Sequence, residues 1–367
     1  MKGINLQDII SFLEEWAPLS YALPEDNPGL QIGRLDKKVK KIIVCLTITK
    51  SIVEYAVKNK FDLIVSHHPL IYKPIKELVY EYFPSNLIIE MVKNDIACYS
   101  MHTNLDVAEN GVSYVLAKKL GLKDIKGLIQ LDNAKLFKLV TFVPKNYLDK
   151  VRNAVCKEGA GIIGEYSYCS FSTSGIGTFL PSEKASPFSG TVGKINEEEE
   201  ERFEVLVPIH KLSQVVDALL EAHPYEEVAY DLYPLYNKNN KISIGVKGNL
   251  ERPSTLKDFC KFVKENLSLP QIRVVGDAKK TISTVGIIGG SGAGEFKKAI
   301  NRVDVLITGD LRYHQALEAE ELNFAIIDAG HFATEYPIVD EIKTYLSKKF
   351  SFLEIEVVNE KEPFWYI

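Results

Sequence analysis

Phe61-Asp62-Leu63-Ile64-Val65-Ser66-His67-His68-Pro69 passes from a short β-branched run directly into two adjacent histidines and a proline. Residues 61–65 read as a buried strand, because an apolar run this short, bounded by polar and turn-forming residues, suits a strand better than a helix. Its surroundings set the fold. Upstream, residues 41–47 read as a strand and 51–59 as a helix; downstream, 87–93 read as a helix and 96–100 as a strand. Strand and helix alternating at this rhythm imply βαβ units and a largely parallel sheet. Further out, Leu6, Ile9, Ile10, Leu13 and Trp16 recur at helical spacing, and Asp26-Asn27-Pro28-Gly29-Leu30 carries turn chemistry.

The C-terminal third repeats the same grammar, with strands expected at 285–288, 303–308 and 324–328 and helices at 294–300, 313–322 and 333–346. The middle differs. A strand at 138–143, a helix at 147–158, further strands including 204–208, a helix at 211–223 and a strand at 228–232 give the β-α-β-β-α-β order of a ferredoxin-like unit. The expected architecture is one α/β domain split into residues 1–130 and 242–367, with a ferredoxin-like α+β domain inserted at 131–241. A chain of 367 residues is too long for one compact core, which agrees with this division. The acidic run Glu197–Glu201 is expected at a solvated hairpin tip or helix edge.

Composition narrows the function classes. Hydrophobic residues make up 46% and charged residues 25%, an ordinary globular balance, so any metal would serve function rather than staple the fold. The net charge of −5 offers no global attraction to nucleic acid or anionic membrane. Five scattered cysteines (Cys45, Cys98, Cys156, Cys169, Cys260) form no CxxC pair, which favours a reducing compartment over a disulfide framework or a cysteine-type zinc site. The start, Met-Lys-Gly-Ile-Asn-Leu, lacks the pattern of a signal peptide, and no apolar run reaches bilayer length; a cytoplasmic protein is expected.

In open parallel α/β sheets, ligands bind beyond the carboxyl ends of the strands. The residues following each expected strand are His67-His68, then His102 and Asp106, then Gly289-Gly290-Ser291-Gly292, then Asp310 with His314, then His331 with Glu335. Five of the seven histidines stand in these segments. A lone strand-end histidine is more often a satisfied structural residue than a ligand. Two adjacent ones need two partners if both are buried. His331 and Glu335 share a helix face at i and i+4. Three imidazoles with two carboxylates (His67, His68, His331, Asp106, Glu335) suit Zn, Fe, Mn or Co better than Ca or Mg. Such a set can hold an ion pair and leave positions open for water or substrate. The glycine turn could present N–H groups to a phosphate or carboxylate, and it reads equally as a tight turn with no binding role.

These segments resemble the Nif-three-like family, whose members carry the names "dinuclear metal centre protein" and "GTP cyclohydrolase type 2 homologue". The likeness rests on Asp26-Asn27-Pro28-Gly29-Leu30-Gln31-Ile32-Gly33, Ser66-His67-His68-Pro69, His102-Thr103-Asn104-Leu105-Asp106, Thr308-Gly309-Asp310 with His314, and Gly330-His331 with Glu335. The resemblance implies two divalent ions per chain with His67, His68, Asp106, His331 and Glu335 as ligands, and His102 and His314 nearby. It also implies a toroidal homohexamer, and an insert like the PII or CutA domains of the longer bacterial members. The leading expectation is a metal-dependent hydrolase acting on a nucleotide such as GTP, with Asp310, His314 or the glycine turn orienting substrate. Phosphoester hydrolysis is an equal use of the same ions. A regulatory metal-binding protein with a ligand-sensing insert comes next, and nucleic-acid binding last. Ligand histidines are expected to be replaceable without loss of the fold.

Overall fold

The computed structural model describes residues 3–131, 135–238 and 242–365. The extreme termini and the expected boundary at residue 241 lie outside these. The chain divides into two compact units, Met1–Gln130 with Asn240–Ile367, and Leu131–Asn239.

The larger unit contains two main sheets of one design, beside the short antiparallel pair Ile4–Asn5 and Lys38–Val39. In the first, Lys41–Cys45, Leu63–Ser66 and Ala97–Ser100 run parallel, with Glu354–Val357 parallel on one edge and Gly29–Ile32 antiparallel on the other. In the second, Thr281–Ile287, Val305–Thr308 and Ala325–Asp328 run parallel, Arg273–Val275 is antiparallel on one edge, and Ser243–Thr255 and Lys123–Gln130 extend the other. Leu63–Ser66, Val305–Thr308 and Ala325–Asp328 are buried at every position, as central parallel strands covered on both faces must be.

The likeness of the two ends extends to single hydrogen bonds. Asp62, just before one central strand, accepts from the N–H groups of Lys40 and Lys41; Asp304, just before the matching strand, accepts from those of Ser283 and Thr284. Each repeat opens on an amphipathic helix, Leu6–Trp16 or Leu256–Asn266, whose first N–H donates at 2.8 Å to Lys37 or Lys280. Both helices bury one apolar stripe on their own sheet, and each sheet gains its own core.

Two expected helices differ from the structure. Residues 294–300 form a 3₁₀ turn, Gly292–Glu295, followed by the short helix Phe296–Ala299, because two glycines among three residues resist a regular helical start. The helix expected from 333 is two segments, His331–Glu335 and Pro337–Lys349; Pro337 has no N–H to donate and takes the first-turn position of the second.

The smaller unit is a four-stranded antiparallel sheet in the order Tyr230–Lys238, Lys135–Pro144, Asn196–Pro208, Ser170–Phe179. Helices Leu148–Lys157 and Leu212–Ala222 bury Val151, Val155, Val215 and Leu219 with the sheet residues Leu139, Phe203, Val205 and Val207. The element order and the sheet order are ferredoxin-like. Glu197–Glu201 correct the expectation of a hairpin tip or helix edge: they lie inside the strand Asn196–Pro208. Ladder pairing and local donors outweigh the poor strand propensity of glutamate, since Ser189 donates to Glu198, Tyr225 to Glu200 and Ser174 to Glu201.

Candidate metal centre

The carboxyl ends of strands from both sheets of the larger unit meet at one cluster. Leu63–Ser66 leads to His67 and His68, Ala97–Ser100 to His102 and Asp106, and Ala325–Asp328 to His331 and Glu335. Ligand-type atoms fall within 4.8 Å of one another in three groups: His67 with Asp106 and Glu335, His68 with His331 and Glu335, and His67 with His68 and His102.

Each imidazole has its Nδ1 already engaged. His67 Nδ1 lies 2.7 Å from the Met101 carbonyl, His68 Nδ1 2.7 Å from Thr47 Oγ1, and His331 Nδ1 2.8 Å from Asp310 Oδ2. His102 Nδ1 lies 2.7 Å from Asp26 Oδ1. An imidazole that donates from Nδ1 keeps its Nε2 lone pair for a metal. His67 Nε2 is buried and has no hydrogen-bond partner. His68 Nε2 and His331 Nε2 stand 3.3 Å apart, at 2.8 and 2.9 Å from the same oxygen, Glu335 Oε2. Glu335 Oε1 faces the other way, 3.8 Å from His67 Nε2, which is itself 3.5 Å from Asp106 Oδ1.

The electrostatics draw opposite charges together in a buried place. Burial disfavours charge on Glu335, yet the rings of His331, His67 and His68 outweigh it and hold the carboxyl well below its usual range. Burial likewise opposes charge on His67, and the carboxylates of Asp106 and Glu335 prevail, raising it to about 9. His331 is raised to about 9 by its contact with Glu335, against burial and with help from Asp310. Asp106 retains 32% of its side-chain surface, but desolvation dominates and lifts it to about 6, with His67 opposing and Glu335 adding. Burial pushes His68 down. Two carboxylates gathered among four imidazoles, with one buried nitrogen orphaned, make a donor set that a divalent cation with borderline nitrogen preference completes.

The glycine turn takes a different part from the anion cradle considered for Gly289, Gly290, Ser291 and Gly292. The N–H of Gly289 donates to Ser113 Oγ and that of Gly290 to Thr334 Oγ1, so neither is free for a ligand. Gly292 packs on Ile288. Asp310, expected to orient substrate, lies 2.8 Å from His331 Nδ1 and so orients that ring. His314 is exposed on the helix Tyr313–Glu321, its ring against Tyr313, outside the three groups of ligating atoms. His102, expected only nearby, supplies a ligand-type atom to the third group.

Sequence reasoning missed the residues that orient the rings. Thr47 was within reach of it, since a hydroxyl at the end of the first central strand obeys the same strand-end rule. Asp26 reads as a turn residue in the sequence; its carboxylate also holds His102 and Thr103. The Met101 carbonyl leaves no trace in residue identity.

A cleft of about 600 Å³ opens beside the cluster, lined by Thr47, His68, Arg273, His331, Phe332 and Phe364 among others. A larger cavity of about 790 Å³ lies inside the ferredoxin-like unit, with Phe142, Phe188, Arg202 and Tyr225 in its walls. No group of metal-ligating atoms among the described residues borders it. No helix among the described residues is long and apolar enough to cross a membrane.

Comparison with known proteins places this geometry. Residues 4–363 match the family described as Duf34/NIF3 (NGG1p interacting factor 3). A Bacillus subtilis protein named "GTP cyclohydrolase 1 type 2 homolog" is 40% identical over 333 residues, covering 90% of this chain and 89% of its own. The crystal structure of a Bacillus cereus protein related to NIF3 superposes with a TM-score of 0.88 at 36% identity, and that of a Staphylococcus aureus protein with 0.79 at 29%, both over the whole of each chain. The split α/β domain with its ferredoxin-like insert and its clustered strand-end histidines belongs to the Duf34/NIF3 family.

Proposed function

We propose that the chain is a metal-dependent hydrolase acting on a nucleotide-like substrate, with two divalent ions held by His67, His68, Asp106, His331 and Glu335. The observation that carries this reading is the engagement of Nδ1 on all three histidines, which leaves their Nε2 atoms around one buried carboxylate. Two ions are favoured over one because Glu335 Oε2 faces His68 and His331, while Oε1 faces His67, whose Nε2 also lies near Asp106. When bound, such ions acidify water and polarise a carbonyl or phosphoryl oxygen. The chain's own residues fix the rings through Thr47, Met101 and Asp310, hold the Glu335 carboxylate charged, and offer a cleft of small-molecule size at one flank.

The name carried by the Bacillus subtilis relative points to GTP; attack of water on its purine ring would open the ring and release formate. Protein loaded in turn with zinc, manganese and iron is to be assayed for formate and for phosphate release from GTP, with His331→Ala as the blank. Metal-dependent formate release absent from the variant supports cyclohydrolase chemistry; phosphate alone supports a phosphoesterase. Neither product, from protein shown to carry its ions, retires the hydrolase reading in favour of a regulatory metal-binding protein.

We also propose self-association into a homohexamer. Tyr72, Leu78, Tyr80, Tyr82 and Phe83 are exposed within twelve residues, an apolar density that a monomer rarely leaves in water. Light scattering on the eluted protein tests it, and a monomer at micromolar concentration would dismiss it.

A further inference from the structure

Among the described residues lining the cleft beside the centre, Arg273 is the one with a permanent positive charge. It stands on the edge strand Arg273–Val275, directly across the ladder from Asp328. Its Nη2 donates both to the Leu311 carbonyl at 2.9 Å and to Asp328 Oδ2. Asp328 is buried and also accepts from the N–H groups of Leu311 at 3.2 Å and Gly330 at 3.0 Å. One nitrogen of the guanidinium is thus fixed to the loop that delivers His331. Nε and Nη1 have no partner among the described residues, and the side chain is 67% exposed.

An arginine serving structure alone would turn a two-nitrogen edge to its carboxylate, the stronger arrangement. Here a single nitrogen makes both protein contacts and leaves two donors for something else. A guanidinium anchored in this way is preorganised for an anion, because little side-chain freedom remains to be lost on binding. The neighbouring negative charges define where that anion sits. Asp310 is engaged by His331, and Glu362 Oε1 would be 3.6 Å from a Cβ on Gly330, on the side of the His331 loop. On the wall formed by Gln271, Ile272 and Arg273 the one adjoining carboxylate, Asp328, is already satisfied by Arg273 Nη2 and by the N–H groups of Leu311 and Gly330.

We propose that Arg273 anchors a phosphoryl group of the substrate, holding it in the cleft next to His68 and His331. This rests on the reading of the cluster as a metal centre and adds to it the class of ligand. A phosphoryl group carries oxygens on all sides, so one flank can meet the centre while another meets the guanidinium. A carboxylate presents a single planar edge.

The test uses the full chain loaded with manganese, with metal content and thermal melting measured alongside binding of pyrophosphate and of malonate by calorimetry. The expected result is that Arg273→Gln and Arg273→Lys keep their metal, and that Gln weakens pyrophosphate at least tenfold while Lys recovers part of the loss. Malonate should bind weakly and respond little. Wild-type affinity for pyrophosphate in Arg273→Gln overturns the proposal and leaves the metal centre standing. Arginine-dependent binding of malonate but not pyrophosphate overturns the phosphoryl assignment. Loss of metal from both variants makes Arg273 a support of the His331 loop and likewise overturns it. If the wild-type chain takes up no manganese, the metal reading fails on that measurement. Pyrophosphate binding by the same protein then decides the anchor separately: sensitivity to Arg273→Gln supports it, and absent or insensitive binding overturns it.

Discussion

A Cβ placed on Gly290 would stand 1.9 Å from Glu335 Oε1 and 3.3 Å from His331 Nε2. The glycine turn therefore makes room for the carboxylate that the three histidines share. Its φ of 59° adds a backbone reason for glycine at the same position. Gly290→Ala should displace Glu335 and lower metal content below half of wild type, with a stability loss on the order of 1 kcal/mol from the left-handed backbone. Metal analysis after gel filtration and a thermal melt of the metal-free protein check both parts. Full metal content in the variant would show that Glu335 is not a ligand.

His67 and His331 should behave differently when removed. His67 is fully buried with Nδ1 on the Met101 carbonyl, so the expectation that a ligand histidine can be replaced without harm to the fold does not carry over to it. His67→Ala leaves that carbonyl without its donor in a dry site and should cost about 1–3 kcal/mol in the metal-free protein. His331 is 37% exposed and Glu335 keeps His68 as a partner, so His331→Ala should cost the metal-free melt less than His67→Ala does while metal binding falls. Equal destabilisation by the two substitutions, or unaltered metal content in either, would count against the assignment.

Much of this was legible in the chain. Strand-end histidines could be found because a short β-branched run announces its own end and parallel sheets gather ligands there. The repeat could be found because Leu63–Ser66 and Val305–Thr308 are the same kind of buried run. What could not be read was the hydrogen bonding that turns a ring. Met101 acts through its carbonyl, which every residue has. A glycine-rich turn after a strand has two uses that residue identity does not separate, and the nearness of Gly290 to Glu335 supplies a packing reason for its glycine. Charge density in Glu197–Glu201 suggests solvent, while pairing of the whole run along one edge, and of Glu200 and Glu201 along both, puts it in a strand.

Asp26 connects the centre to acid stability. Burial opposes its charge, but donors from His102 and Thr103 outweigh it and lower the carboxyl from 3.8 to about 2. A carboxyl with a depressed folded pKa stabilises the fold above its unfolded pKa and loses that contribution as pH falls towards the folded value. The metal-free protein should accordingly lose about 2 kcal/mol from this group between pH 4 and pH 2. Asp26→Asn should flatten that limb of the stability curve, and it should weaken metal binding roughly 10–100-fold if His102 serves the centre. Chemical denaturation across that pH range reads the first effect, and competition with a chelator the second. An unchanged acid limb would mean that the carboxylate is not held as described.

The ferredoxin-like unit should be removable. Gln130 and Ser243 are paired across adjacent antiparallel strands, so the chain leaves the larger unit and re-enters it at neighbouring positions. Such a pair of strands can be joined by a tight two-residue turn, and Asn-Gly suits it best. The deleted unit takes its own core with it, built from Leu139, Val151, Phe203, Val215 and Leu219. The ligand candidates all lie outside it. A chain in which Asn-Gly replaces residues 131–242 should fold, melt cooperatively and bind metal with wild-type stoichiometry. Failure to fold would show that the larger unit depends on its insert. Folding with loss of metal would show that the insert acts on the centre itself, which the regulatory reading requires and the hydrolase reading does not.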